Sequence, residues 1–341
     1  MPRPPTFYLI DGYAAIFRAF FAIRRPLYSP VTGEETQAVL VFVRMLLKLY
    51  TTLEPDYVAV ALDAPGSTFR DAIYRQYTEI APVSAVPVPV TECDPIALPT
   101  TEPTMPSPEP EPRPEPEPVP IPLYKGTRNQ TPDGLTQQIP RILEVLELFG
   151  IPVIGKSGLE ADDIIATLTD RVLEDPTQPD LTVRIVSKDK DLEQLLRDRV
   201  TLFDIHTGEE MDSETLFDRR GVTPDQIIDY LTLTGDVVDN VPGVPGIGPK
   251  TAAKLLQTHG SLDRILENLD QVKGQCRDNL EKARSYLPIS RRLIALHRDD
   301  AIPFDLESAR VGPLPTEDMA RFCETLGFGR LTAFFRGNGN F

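Results

Sequence analysis

The sequence predicts an α/β fold, a mostly parallel central sheet flanked by helices, followed by a helical subdomain. Three observations carry this expectation. Short apolar runs alternate with stretches of helical spacing through the first part of the chain. Three of those runs deliver an acid at or just beyond their carboxyl end, Asp11, Asp63 and Asp189. From about Arg199 onward the alternation gives way to helical segments punctuated by glycine and proline.

The elements follow in order. "TFYLID" is a short apolar strand ending in Asp11, and "AAIFRAFFAI" and "AVLVFVRMLLKLY" have helical spacing. "YVAVAL", β-branched and small, reads as a buried strand that leads into Asp63. "LTQQIPRILEVLELFG" is an amphipathic helix closed by Gly150, and "IPVI" is a brief strand. "GLEADDIIATL" opens the next helix, "TVRIVS" is another strand, and "KDKDLEQLL" follows it. "VTLFDIHTGEEMD" reads as a hairpin with a Thr-Gly turn, and "TPDQIIDYLTLTG" as a helix with Pro224 at its first position.

One segment stands apart. Thr78 to Leu123 holds fifteen prolines, and each one removes an N–H and fixes φ. Its run "PEPEPRPEPEP" predicts extended polyproline II, so the segment is expected to be a disordered or semi-rigid insertion, a spacer or a docking site for a protein partner. The expected organisation is an α/β core over 1–77 and 124–202, the insertion over 78–123, a helix-hairpin-helix region over 203–300, and a segment over 301–341 that packs back on the core.

Composition narrows the chemistry. The 41% hydrophobic content of these 341 residues supports a core. Cys93, Cys276 and Cys323 are odd in number and far apart, which suits reduced thiols in a cytosolic compartment. Three scattered histidines argue against a His-based zinc site or a Ser-His-Asp triad. No signal peptide or membrane span is expected, because the most apolar stretch is short and broken by Arg44 and Lys48.

The acids form a pattern: Asp11, Asp63, Glu160, Asp162, Asp163, Asp189, Asp191, Asp236 and Asp239. Strand ends at the carboxyl edge of an open α/β sheet are where ligands bind. Glu160 and Asp163 share a helix face, and a helix start tolerates negative charge. Some of these acids could be helix caps or solvated, but so many together call for hard divalent cations. Mg²⁺ or Mn²⁺ takes oxygen ligands, and two such ions about 4 Å apart can cleave a phosphodiester.

"GVPGIGPKTAAKLL" adds a glycine turn at Gly246 and Gly248, Pro249 opening a helix, and Lys250 and Lys254 one turn apart. Such an element grips a phosphate backbone without reading bases. The net charge of −16 does not oppose this. The insertion carries −7 and the nine acids −9, so the remainder is neutral.

Taken in order, "LIDGYAAIFRAFFAI", "VALDAPGSTFRDAIY", "YKGTRNQTP", "GLEADDIIATL", "VRIVSKDKDLEQLL" and "TGDVVDNVPGVPGIGPKTAAKLL" resemble the 5′ nuclease family. That family comprises the 5′→3′ exonuclease domain of bacterial DNA polymerase I and its flap-endonuclease relatives. The resemblance implies a PIN-like core and a helix-three-turn-helix. It also implies two metal ions, a monovalent cation at the glycine turn, and cleavage to a 5′-phosphate and a 3′-hydroxyl.

By that resemblance Asp11, Asp63, Glu160, Asp162 and Asp163 serve mainly the first metal, and Asp189, Asp191, Asp236 and Asp239 the second. Arg70 and Lys125 match basic residues that steer the scissile phosphate, and Phe17 and Tyr124 match aromatic positions that stack on a base. Arg18 and Arg128 join the expected DNA contacts. The insertion interrupts the family's arch and is expected to weaken binding of non-threaded DNA by repulsion. The implied protein is a monomeric, cytoplasmic, bacterial-type and nucleoid-associated enzyme acting on 5′ flaps, nicked duplex and RNA primers. Alternatives are a DNA-junction binder without cleavage, or an RNA-directed relative with the same metal core. The chain would be a free-standing nuclease or a domain of a longer protein.

Overall fold

A computed structural model describes residues 3–80 and 131–339, apart from the side chains of 78–80. The expected insertion beyond residue 80, and with it Tyr124, Lys125 and Arg128, lies outside the described residues. Two compact units emerge. The described part of the first takes in residues 3–68, 131–216 and 296–339, and that of the second 69–80 and 217–295.

The first unit is built on a six-stranded sheet. Its strands are β1 (Thr6–Asp11), β2 (Tyr57–Ala61), β3 (Val153–Ile154), β4 (Thr182–Val186), β5 (Val200–Phe203) and β6 (Glu210–Met211), in the order β3-β2-β1-β4-β5-β6. Every pairing is parallel except the β5–β6 hairpin. The expected α/β class with a mostly parallel sheet is therefore what the chain adopts.

β1 sits mid-sheet with every residue buried, so both of its faces meet apolar side chains. Tyr8 and Ile10 face a core shared with α1 (Gly12–Phe21), α2 (Gln37–Lys48) and α4 (Asp133–Leu148). The C-terminal helices α12 (Thr316–Thr325) and α13 (Gly329–Phe335) complete that core through Met319, Phe322 and Phe335. α5 (Ala161–Glu174) packs on β1, β2 and β4 and buries Ile164, Ile165 and Leu168.

The chain leaves the first unit within α6 (Ser213–Arg220). The second unit contains α3 (Phe69–Ile80), α7 (Ile227–Thr234), α8 (Pro249–His259), α9 (Leu262–Glu267), α10 (Gly274–Ala283) and α11 (Leu287–Ile294). α3 runs three residues past the boundary drawn at 77, because Thr78, Glu79 and Ile80 hold no helix breaker and the first proline is Pro82. Its Tyr74 and Tyr77 lie close together, and Tyr77 meets Tyr286 edge-on at 5.9 Å.

Candidate metal centre and nucleic-acid interface

Parallel neighbours point their carboxyl ends the same way, so β2, β1 and β4 deliver three acids to one edge. Asp11 is the last residue of β1, Asp63 follows β2 by two residues, and Asp189 follows β4 by three. The N-terminus of α5 reaches the same place, where Asp63 Oδ1 accepts the N–H of Ala161 at 2.6 Å. Helix starts leave N–H groups unpaired, and a carboxylate both satisfies them and is stabilised there.

Several of the acids are also structural. Asp11 caps α1, its Oδ1 accepting the Ala14 N–H at 3.1 Å. Its Oδ2 accepts the Ser187 hydroxyl at 2.9 Å, while Ser187 Oγ accepts the Asp189 N–H at 3.1 Å. Glu160 and Asp163 form a capping box on α5. Asp163 is fully buried. Its Oδ2 accepts the Glu160 N–H at 3.2 Å and its Oδ1 the His297 N–H at 2.8 Å. Thr68 donates to Glu160 Oε1, Asp162 is half-buried at the first turn of α5, and Asp191 opens a 3₁₀ turn over Asp191–Leu195.

Charge accumulates here. Burial pushes Asp11 up to about 6, Asp189 and Asp63 push in the same direction, and the Ala14 and Ser187 hydrogen bonds oppose them. The donor set fits a hard divalent cation: every group is a carboxylate oxygen, and like charges at a buried edge are what such an ion relieves.

In the second unit, Asp236 and Asp239 lie on a tight loop closed by reciprocal backbone hydrogen bonds between Asp236 and Val241. Asp236 Oδ1 accepts the Val238 N–H at 2.9 Å, and Asn240 takes φ 61°, a left-handed geometry that asparagine tolerates. The end of this loop is anchored by α10 and α11. Tyr286 Oη donates to Gly243 O, Ser290 Oγ to Pro242 O, and Asn279 Nδ2 to Pro245 O. Gly246 has φ 77°, Gly248 caps α8, Pro249 is its first residue, and Lys250 and Lys254 are exposed on it. Arg70 is 2% exposed. Its Nε donates to Leu293 O at 2.9 Å and its Nη2 to Ala295 O at 3.2 Å, at the C-terminal end of α11.

Along α1, Phe17 stands between Tyr13 and Phe21, with ring centroids 6.5 and 6.4 Å away. Arg18 makes a two-pronged ion pair with Asp204. Ser187, Lys188 and Asp204 were not among the sequence candidates. Ser187 had a signal, a hydroxyl two residues before Asp189. Asp204 had none, since its partner Arg18 lies 186 residues away.

Comparison with known proteins places this architecture. A family model described as "5′-3′ exonuclease, N-terminal resolvase-like domain" matches residues 6–80 and 119–222, and one described as "5′-3′ exonuclease, C-terminal SAM fold" matches 222–317. The chain is 33% identical over 306 residues to a 5′-3′ exonuclease of Aquifex aeolicus, covering 90% of this chain and 86% of that protein. It is 32% identical to DNA polymerase I of Bacillus caldotenax, covering 94% of this chain but only 31% of the polymerase. In fold it is similar to T5 5′-exonuclease with bound divalent metal ions (zinc), at TM-score 0.60 and 18% identity, covering 98% of both chains. It is also similar to the catalytic core of Rad2 in complex with a DNA substrate, at TM-score 0.54 and 16% identity, covering 95% of this chain and 88% of that one. The chain belongs to the 5′-3′ exonuclease family, a class of enzymes that hydrolyse phosphodiesters.

Proposed function

We propose that the chain is a divalent-metal-dependent, structure-selective 5′ nuclease that hydrolyses DNA at 5′ flaps, nicked ends and primer junctions, leaving a 5′-phosphate and a 3′-hydroxyl. The observation that carries this reading is the meeting of Asp11, Asp63 and Asp189 with the N-terminus of α5 at one sheet edge. Asp11, Asp63, Glu160 and Asp162 would hold one Mg²⁺ or Mn²⁺, with Asp163 fixing the α5 start behind them. Asp189, Asp191, Asp236 and Asp239 would serve a second. Bound there, such ions supply charge stabilisation and a more acidic water.

The chain's own residues orient and bind. Ser187 holds Asp11 and the Asp189 backbone in one geometry. The turn at Gly246 and Gly248, with Lys250 and Lys254, suits a duplex phosphate backbone and a monovalent cation. Lys125 and Arg128 would meet phosphate, and Phe17 and Tyr124 would stack on bases near the cut. Arg70, whose guanidinium binds the end of α11, fits a positioning role. The bacterial relatives favour a cytoplasmic, chromosome-associated enzyme.

The test is cleavage of a 5′-labelled flap DNA in Mg²⁺ and in EDTA by the wild type and Asp162→Ala. Cutting at the flap base is expected with Mg²⁺ only, and slower by on the order of a hundredfold or more in the variant. Tight binding without cutting by the wild type in Mg²⁺ would replace this reading with a junction binder.

A further inference from the structure

The first unit holds a second charged group that the acidic site does not use. Arg18 Nη1 and Nη2 donate to Asp204 Oδ1 and Oδ2 at 2.7 and 3.0 Å, and Lys188 Nζ reaches Oδ2 at 2.6 Å. Asp204 is 6% exposed and also accepts the His206 N–H at 2.9 Å, shaping the β5–β6 turn. Lys48 Nζ donates to Ile205 O and His206 O on the same turn. Two cations therefore meet one carboxylate and a third binds the turn beside it, leaving local positive charge in a protein of net −16. Burial pushes Asp204 up, but the bonds from Arg18, Lys188 and the His206 backbone hold it well below the usual carboxylate range.

Arg18 and Lys188 line a cleft of about 80 Å³ whose walls also include Ala14, Ser187, Phe203 and His206. That cleft begins at the acidic edge, because Ala14 N–H and Ser187 Oγ are the two donors to Asp11. At 1.5 Å rise per residue, Arg18 lies about 10 Å along α1 from Asp11. A polyanion leaving the acidic edge by this cleft meets Arg18 and Lys188 next. Two cations tethered to a buried acid are already ordered, so an anion arriving there loses little of its binding energy to freezing long side chains.

We propose that Arg18 and Lys188, held by the positioning residue Asp204, form a subsite for a backbone phosphate of the DNA strand next to the one being cleaved. The proposal rests on the nuclease reading above. If Asp204 only ties α1 to the hairpin, Lys188, 58% exposed at its side chain, has no bearing on DNA.

The experiment is a double-mutant cycle. Binding of fluorescent 5′-flap DNA in Ca²⁺, a hard cation for the carboxylates, is followed against salt for wild type, Lys188→Met, Asp204→Asn and the double variant. Lys188→Met is expected to weaken binding roughly fivefold near 0.1 M salt and to lower the salt slope by about 1, with the melting temperature unchanged. In the Asp204→Asn background the same change should alter Kd by less than about twofold. Should Asp204→Asn fail to fold, Asp204→Glu, which keeps the charge but displaces it, takes its place. An unchanged Kd and slope for Lys188→Met overturns the subsite, and an equal loss with and without Asp204 overturns the positioning role. Wild-type cleavage in Mg²⁺ runs alongside. Cutting without a Lys188 effect sinks the subsite alone, whereas the binding pattern without cutting sinks the nuclease reading.

Discussion

Asp204 shows how one buried carboxylate links distant parts of the chain, receiving Arg18 from α1 and Lys188 from the end of β4. Its folded-state pKa lies below the ordinary value of 3.8, so the stability it contributes is fully present above that value and is lost progressively as pH falls from there through the folded-state value. Asp204→Asn should lower stability by about 1.5–3 kcal/mol at pH 7, the range for hydrogen bonds to charged groups. Urea unfolding at pH 7 and pH 3 checks the sign. The gap between wild type and variant must shrink at the lower pH. Asp163 is a different case: its two oxygens accept backbone N–H groups from Glu160 and His297, so it fixes backbone position as well as adding charge. A residue picked out by the sequence for its charge can thus be held mainly by its hydrogen bonds.

Among the elements, the Asp236–Val241 loop depends on a close backbone approach. A Cβ at Gly243 would overlap the backbone of Gly235 and Thr234, and neither can move aside as a side-chain tip could. Gly235 itself takes φ 74°, in the region that favours glycine. Gly243→Ala is expected to cost about 3 kcal/mol, at the upper end for overpacking, and to displace the loop bearing Asp236 and Asp239. A urea midpoint within error of wild type would show that the backbone there yields. α4 makes the opposite point. It carries Pro140 in its interior, yet it stays helical because Leu135, Ile142, Val145 and Leu146 bury one face against the core.

For the whole molecule, the distribution of charge matters more than its sum. The −16 divides between the nine acids and the Pro-rich insertion, and the family models leave out residues 81–118. Deleting residues 81–123 should tighten binding of flap DNA several-fold at low salt and steepen its salt dependence, since like charge repels the phosphate backbone. Unchanged affinity and slope would remove the insertion from DNA handling. No helix of the described residues is long and apolar enough to cross a membrane.

The sequence by itself determined the class of fold, the strand ends that carry Asp11, Asp63 and Asp189, and the Gly-Pro-Lys pattern that opens α8. Those signals are local: a period of two or of 3.6, a cap, a turn residue. The family resemblance was legible for the same reason, as ordered motifs of consecutive residues. Only the tertiary structure decided the strand order β3-β2-β1-β4-β5-β6, the burial of Arg70 against the end of α11, and the pairing of Arg18 with Asp204. Each of these joins residues far apart in the chain, and a contact across such a separation leaves no periodicity at either end. It exists only once hydrophobic burial has brought the two segments together.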